Sequence, residues 1–450
     1  MRWFLKEQRT TTLKIKSFKK STNTPKTTLF FVFATVSICS LFAYCAKGEK
    51  TFFANDNTLI DDDDTIIYDD DSTEYPSCPH NCYPPIYLFS TSLRFINNKI
   101  NIIFNRSVEE DRMYANLNSG QYLFENISPI HSKYGLPWGS DNYNSNIQNL
   151  LFEGVDHQPL VIYGDSDILK MSIKSDLGWT ITSIPDSEIR WAPFDATIDS
   201  SGAIHITMLK PDNSNPETAF YQIVYLTNRG KSWTSETISE NTFTQIAITV
   251  DHIGDPHIFY HDDAEGALIE KHPSSEGWTS RKVAIGEAGK GSLSGIGFLN
   301  SLGIAYATTD QQNRYYCYGQ ATDIDGDWST ECPVKYTIPQ DWTWDGYVRL
   351  IINSQNQPIF GFGLPGTTND IGIATKTDTW SIEYLHEMYK IETDLYFSMS
   401  MVAGDNIALS YYINKGDPFN GDLMYVTLDS NHNISKQIIY REPVCRCEGS

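Results

Sequence analysis

The stretch Asp199-Ser-Ser-Gly202-Ala203-Ile-His-Ile-Thr207 decides the fold, because variants of it recur along the whole chain. In each copy a turn rich in Asp, Asn and Gly leads through a small residue or Pro into an apolar strand. Seven copies open strands near positions 99, 159, 203, 256, 302, 358 and 406, at an average spacing of about 51 residues. The apolar runs are rich in β-branched and aromatic residues, which is typical of strands. A repeat of this length fits the four-stranded blade of a propeller, so the sequence predicts an all-β, seven-bladed β-propeller.

A tryptophan near the end of most units supports the same period. These residues are Trp179, Trp233, Trp278, Trp328 and Trp380, and each follows a polar or Gly-containing turn. One large aromatic per blade can fill the wedge between neighbouring sheets. We therefore interpret the five residues as structural.

The segment Thr227–Trp233 resembles the Asp-box, or bacterial neuraminidase repeat, in which Ser-x-Asp-x-Gly-x-x-Trp forms a β-hairpin turn. Leu226 stands where the family has Ser, and Asn228 stands where it has Asp, so this copy is degenerate. The likeness covers roughly residues 86–440 and implies a sialidase-like propeller. It does not imply sialidase activity, because Asp-boxes serve the fold and function must be argued from a site.

The N-terminal segment, residues 1–46, differs from the rest of the chain. A basic region is followed by the uncharged apolar run Leu29–Ala46. This pattern fits a cleaved secretory signal, an uncleaved membrane anchor, or a lipoprotein signal with Cys45 as the lipidated residue. Tyr44 departs from the small residue expected before a lipidated cysteine. All three alternatives predict an extracytoplasmic protein that contacts membrane only through this segment.

The remainder of the chain is strongly acidic. Residues 1–50 hold ten basic and two acidic residues, which leaves 24 basic and 54 acidic residues and a formal net charge of −30 beyond them. Clustered aspartates at 61–64 and 69–71 predict an acidic, low-complexity tether over residues 47–77, followed by the propeller over 78–447. The charge argues against a nucleic-acid partner, since phosphate binding needs a basic surface.

Cysteine usage fits an oxidising compartment. Cys317 and Cys332 flank one turn within a single unit, which predicts a disulfide within that blade. Four further cysteines lie just before and just after the repeats, where cross-pairing would staple the closure of the ring. They are Cys78, Cys82, Cys445 and Cys447. Their spacing does not match a usual zinc site, although a four-cysteine metal knuckle is the alternative.

Two enzymatic alternatives have candidate residues. A sialidase needs three arginines that converge on a carboxylate, and the candidates are Arg190, Arg314 and Arg349. A propeller polysaccharide lyase needs a His and a Tyr that move a proton, and the candidates are His205, His257 and Tyr260. If the repeated strand lines the central channel, the two histidines approach each other at its rim. If it does not, they serve the structure.

A calcium site is the one cofactor that the sequence suggests. Asp323, Asp325 and Asp327 place three carboxylates on one turn, as hard cations prefer. The spacing is not that of a full EF-hand loop, and Asp-Gly also simply forms tight turns. The sequence thus predicts no obligatory cofactor.

Aromatic residues outside the repeat register are the best candidates for a ligand-binding face. They are Trp191, Trp342, Trp344 and Tyr347. Propellers present loops around a channel mouth, and exposed aromatic residues suit glycan or protein ligands. The sequence predicts a monomeric, non-catalytic binding protein, with a glycan-active enzyme as the alternative.

Overall fold

The structure, a computed structural model, describes residues 90–441 with internal gaps. The gaps are 107–110, 119–120, 130–148, 166–167, 190–192, 212–220, 242–244, 290–291, 311, 324–325, 338–346, 365–369, 387–396 and 415–420. The predicted N-terminal segment with Cys45, the acidic tether and the four terminal cysteines lie outside the described residues. None of the helices within the described part is long and apolar enough to span a membrane.

Seven antiparallel sheets of four strands form the seven-bladed β-propeller that the repeat predicts. Each sheet consists of four strands that are consecutive in the chain, and we number the blades 1–7 in chain order. The strands are β1 (Thr91–Ile96), β2 (Lys99–Arg106), β3 (Asp111–Asn118), β4 (Gln121–Pro129), β5 (Asn149–Glu153), β6 (Pro159–Asp165), β7 (Ile168–Ser175), β8 (Gly178–Glu188), β9 (Phe194–Ile198), β10 (Ile204–Pro211), β11 (Tyr221–Thr227), β12 (Thr234–Asn241), β13 (Ile246–Val250), β14 (Pro256–Asp262), β15 (Ala267–Ser274), β16 (Gly277–Ile285), β17 (Leu293–Phe298), β18 (Ser301–Thr309), β19 (Asn313–Ala321), β20 (Trp328–Thr337), β21 (Val348–Ile352), β22 (Pro358–Leu364), β23 (Asp370–Lys376), β24 (Trp380–His386), β25 (Ser398–Val402), β26 (Asn406–Asn414), β27 (Gly421–Leu428) and β28 (Ile434–Arg441).

The repeated phrase forms the turn between the first and second strands of a blade, followed by the second strand. Asp199 shows why the pattern is kept: its Oδ1 accepts the N–H of Ser201 at 2.8 Å and of Ala203 at 2.9 Å. Between them Gly202 adopts a φ of +83°, a conformation that glycine tolerates without a Cβ clash. Asp251 and Gly254 repeat the arrangement in blade 4. The acidic or amide side chain therefore accepts the backbone N–H groups of the turn, and the apolar residues after it form the strand.

The core is divided among the blade interfaces. Seven clusters of buried apolar residues exist in the described part, and each joins two successive blades. Blades 7 and 1 share such a cluster, in which Phe104 lies 5.3 Å from Tyr440 between ring centroids. Ser398 Oγ also accepts the N–H of Leu93 at 2.8 Å across this interface. Within the described residues, side-chain packing of the same kind as between other blades closes the ring.

The repeated tryptophans lie between blades, as predicted. Each of four packs edge-on against an aromatic residue of the preceding blade: Trp179 on Tyr114, Trp278 on Tyr225, Trp328 on Phe259 and Trp380 on Tyr318, with centroid distances of 5.1–5.7 Å. The fifth, Trp233, packs against the cluster between blades 2 and 3.

The predicted disulfide is present in blade 5. Cys317 on β19 is bonded to Cys332 on the neighbouring strand β20. The bridge therefore ties the third strand of the blade to its fourth.

Candidate functional site: the central channel

The first strands of the blades surround the axis of the propeller. Each first strand contacts the first strands of both neighbouring blades, including β1 with β25. Their inward edges have no further strand to bond, so side chains must satisfy exposed backbone groups. Ser92 Oγ accepts the N–H of Leu151 at 3.0 Å, and Ser294 Oγ accepts that of Leu350 at 3.0 Å. These contacts join each donor strand to the preceding blade.

Three charged side chains interrupt these short, mostly apolar strands: Arg94 on β1, Asp195 on β9 and Arg349 on β21. They belong to blades 1, 3 and 6, and no two of these blades are neighbours in the ring. All three side chains are half-buried. Groups on non-adjacent blades influence one another only across the channel. Among the described residues, the interior positions of these strands therefore place two positive groups and one negative group around the channel, in a chain whose net charge is −22.

The pKa shifts agree with a confined setting. The pKa of Arg94 is lowered to about 10, chiefly by burial and also by the charge of Arg349, while Asp195 opposes this. Burial likewise raises the pKa of Asp195 to about 6, partly opposed by the Ile248 N–H, which its Oδ2 accepts at 2.9 Å, and by the two arginines.

The two guanidinium groups have unused hydrogen-bond donors. Arg94 Nη1 donates to the Leu93 carbonyl at 3.0 Å and approaches that of Met399 at 3.5 Å. Arg349 Nη1 is 3.4 Å from the Val348 carbonyl. Among the residues that the structure describes, neither group has a carboxylate within ion-pair distance.

Tyr347 supplies an aromatic face beside this charge. The Arg349 guanidinium lies 4.3 Å from the centroid of the Tyr347 ring, which packs edge-on against Phe397 at 5.2 Å. Tyr347 is the one predicted ligand-binding residue within the described part, since Trp191, Trp342 and Trp344 lie outside it. A half-buried tyrosine with an adjacent cation offers both stacking and hydrogen bonding.

The candidate histidines do not line the channel, contrary to one expectation. The repeated phrase builds the second strand of a blade, so His205 on β10 and His257 on β14 are separated from the axis by β9 and β13. They are 0% and 1% exposed. Tyr260 is 3% exposed, and burial raises its pKa to about 12. Each histidine is bonded within its own blade.

In blade 3, His205 is a neutral imidazole that lies between a hydroxyl group and a carboxylate. Its Nδ1 is 2.6 Å from the Tyr225 hydroxyl, and its Nε2 is 3.1 Å from Asp199 Oδ2. One neutral tautomer satisfies both contacts, since Tyr225 donates to Nδ1 and Nε2–H donates to the carboxylate. Burial lowers the pKa of His205, and the net pKa stays below its ordinary value although Asp199 acts the other way.

In blade 4, Glu270 is the centre of an ionic network. Its carboxylate accepts from Arg281 Nε at 2.6 Å and Nη2 at 2.8 Å, and from Trp328 Nε1 at 2.9 Å. His257 Nδ1 is 2.7 Å from Oε1, and its Nε2 lies 3.5 Å from Asp251 Oδ2. Both partners are carboxylates, which favours the doubly protonated imidazolium. Burial lowers the pKa of His257, but the bonds to Asp251 and Glu270 outweigh burial and raise it overall.

The same network contains the one three-ligand cluster found among the described residues. His257, Glu270 and His272 have ligand atoms within 4.8 Å of one another. A cation there would compete with Arg281, which already occupies both carboxylate oxygens. The arrangement therefore fits an ion pair better than a metal centre.

The other predicted residues are only partly within the described part of the chain. Arg314 lies on β19, on the third strand of blade 5, and is 2% exposed, whereas Arg349 lies on a first strand. Arg190 lies outside the described residues, so convergence of the three stays a prediction. Asp323 is exposed and its carbonyl accepts the N–H of Gly326, which is a turn contact, while Asp325 lies outside the described part.

Arg94 and Asp195 were not among the sequence candidates. The signal that marks them is a single charge inside a short apolar first strand, as Arg349 also shows. That signal is readable only once the first strand of each blade has been located.

The fold and the channel together define a seven-bladed β-propeller with a charged central channel. No family model matches the sequence, and no curated protein matches it either, so the resemblance to the Asp-box family is not confirmed. The segment Thr227–Trp233 does join β11 to β12, as a hairpin turn.

Three solved structures that are similar to this chain include two described as lectins. AofleA from Arthrobotrys oligospora has 9% identity and a TM-score of 0.44, covering 68% of this chain and 88% of its own. Aleuria aurantia lectin, described as a six-bladed propeller with a novel mode of fucose recognition, has 11% identity and a TM-score of 0.42, covering 82% and 99%. The SapL1 lectin in complex with α-methyl fucoside has 13% identity and a TM-score of 0.43, covering 68% and 98%. At such values, the function of this chain must be argued from its own residues.

Proposed function

We propose that this protein is an extracytoplasmic, non-catalytic binding protein that holds a glycan ligand at the mouth of its central channel. The observation that carries the proposal is the group formed by Arg94, Arg349 and Tyr347. Binding sites combine an apolar or aromatic surface with a few convergent polar groups that fix orientation. Here Tyr347 supplies the aromatic face. The polar groups are the guanidiniums of Arg94 and Arg349, which make few hydrogen bonds with the described residues.

Two further observations support the setting and the lack of catalysis. The Cys317–Cys332 disulfide and the basic, then apolar N-terminus are typical of exported proteins. The candidate acid–base residues His205, His257 and Tyr260 are buried, and each has partners that explain its burial. A binding role requires nothing from them.

The test is a glycan array probed with the purified full-length protein. We expect a restricted set of glycans to bind, and Arg349→Ala to weaken that binding at least tenfold, since a hydrogen bond to a charged group contributes about 1.5–3 kcal/mol. Tyr347→Ala should weaken it through loss of the aromatic face. The matched control is Lys282→Ala, which removes an exposed cation on β16 and should leave binding unchanged.

Mass spectrometry of each bound glycan separates binding from catalysis. An intact glycan is the expected result. A cleaved glycan or an unsaturated product would make the protein an enzyme. An array without binding would leave a protein as the ligand, to be sought with the same variants.

A further inference from the structure

Arg314 is a buried cation that forms no ion pair with any carboxylate among the described residues. It is 2% exposed on β19, and its Nε and Nη1 atoms have no hydrogen-bond partner. The Tyr316 hydroxyl, which interacts with Arg314, donates to the Gly363 carbonyl of blade 6. A buried charge that is neither paired nor fully hydrogen-bonded is costly, and native structures rarely keep one without a reason.

The interface between blades 1 and 2 shows how this fold satisfies a buried arginine. Arg112 on β3 is 0% exposed, and its Nε donates to Asn149 Oδ1 at 2.7 Å. Its Nη2 donates to the Gly164 carbonyl at 3.1 Å, and its guanidinium lies 3.7 Å from the centroid of Tyr163. Asp165, two residues after Tyr163, adds a favourable negative charge. Blade 2 therefore supplies an amide, a carbonyl, a ring and a carboxylate.

Blade 6 supplies none of the polar side chains at the corresponding places. In blade 2, Asn149 pairs across the sheet with Tyr163. In blade 6, the equivalent pair is Val348 and Phe362. Two residues further along the strand, Leu364 of blade 6 corresponds to Asp165 of blade 2. All three residues of blade 6 belong to the apolar cluster between blades 5 and 6. At these three positions blade 6 therefore offers the guanidinium no polar side chain, and the Gly363 carbonyl of blade 6 already accepts from Tyr316.

Two hydroxyl groups flank Arg314 within its own sheet. Thr309 on β18 and Tyr336 on β20 are its direct cross-strand partners, so the three side chains lie in one row on the same face. Both neighbours are half-buried, and Tyr336 packs at the margin of the cluster shared with blade 6. The row thus places two half-buried, hydroxyl-bearing side chains beside the buried cation, near the ends of β18 and β20.

We propose that Thr309, Arg314 and Tyr336 form a binding site for a small oxyanion, a carboxylate or sulfate group, between blades 5 and 6. The guanidinium donates charge-assisted hydrogen bonds from Nε and Nη1, and the two hydroxyls complete the donor set. The site is separate from the channel residues and does not depend on the proposed glycan ligand.

The test is calorimetric titration of the full-length protein with sodium sulfate and with sodium acetate, in chloride buffers of equal ionic strength. We expect one saturable site, at least tenfold weaker in Arg314→Met, and several-fold weaker in Tyr336→Phe and Thr309→Val. The two anions separate a sulfated from a carboxylated ligand. Lys282→Met, which removes an exposed cation elsewhere, should bind as the wild type does.

A second measurement keeps the result decisive. In chloride alone, Arg314→Met should melt at the same temperature as the wild type or higher, because it removes an uncompensated buried charge. A lower melting temperature would show that Arg314 is already paired within the protein and would overturn the proposal. Equal affinities of the wild type and Arg314→Met, or no saturable binding of either anion, would overturn it as well. Failure of Arg314→Met to fold would be a larger loss of stability of the same kind and would overturn the proposal too.

Discussion

Blades 3 and 4 place a histidine at the same position of the repeat and surround it with opposite chemistry. His205 pairs across the sheet with Thr197 as His257 pairs with Thr249. On the third strand, Tyr225 contacts the first histidine and Glu270 contacts the second. Only the third-strand residue decides the outcome. A tyrosine can donate to a neutral ring, whereas a carboxylate can only accept and therefore requires a proton on the nitrogen that faces it. One repeat position thus holds a neutral histidine in blade 3 and a protonated one in blade 4.

The largest expected effect comes from breaking the ionic network. Glu270→Gln removes the charge that Arg281 and His257 share while leaving both buried or nearly so. Loss of one member of a buried ion pair typically costs about 3–5 kcal/mol of unfolding free energy. Urea unfolding of the wild type and the variant measures the difference.

Blade 5 supplies the matched control for that variant. Glu331 also accepts from a tryptophan of the next blade, Trp380, and pairs with Lys376, but its side chain is 50% exposed. Glu331→Gln should cost at most about 1 kcal/mol, as exposed ion pairs do. Equal losses in the two variants would contradict the distinction between a buried and an exposed network.

This contrast also shows what the sequence reveals and what it hides. The turn residues Asp199 and Asp251 accept hydrogen bonds from backbone groups two and four residues ahead. Because these partners are close in sequence, the turn pattern can be recognised in the sequence, and its repetition predicts the propeller. Glu270 has partners at 257, 281 and 328, from two blades, and nothing in its own segment marks it.

The channel charges were hidden for a similar reason. Arg94 and Arg349 are 255 positions apart in the chain and meet only because first strands surround one axis. Tyr347 was predictable as an aromatic residue outside the repeat register. The position of Arg349 beside it on the channel could be recognised only from the folded ring of blades.

The pH dependence of stability should differ in sign between the two histidines. Since the folded pKa of His257 is raised above the ordinary value of about 6.5, its contribution is fully present below that pH and is lost as pH rises through the folded pKa. The charged groups around it are Asp251, Glu270, Arg281 and His272. The stability difference between the wild type and His257→Gln should therefore shrink as pH increases from 6 to 9.

His205 should show the reverse. Its folded pKa is lowered, so no penalty exists above about pH 6.5, and one develops as pH falls toward the folded pKa. The stability difference between the wild type and His205→Gln should shrink as pH decreases from 7 to 5. Parallel profiles for the two variants would mean that both rings share one protonation state, and the contrast between the blades would be lost.

The smallest expected effect tests the neutral histidine of blade 3. Tyr225→Phe keeps the ring on which Trp278 packs at 5.4 Å and removes only the hydroxyl that donates to His205 Nδ1. Loss of one neutral hydrogen bond should cost about 1 kcal/mol in urea unfolding. Tyr122→Phe is the control, since that hydroxyl has a single exposed contact at 3.5 Å with Gln437, and its loss should be close to zero. A loss in Tyr225→Phe as large as in Glu270→Gln would indicate that His205 is charged and paired with Asp199, because only an ionic network would then depend so strongly on one hydroxyl.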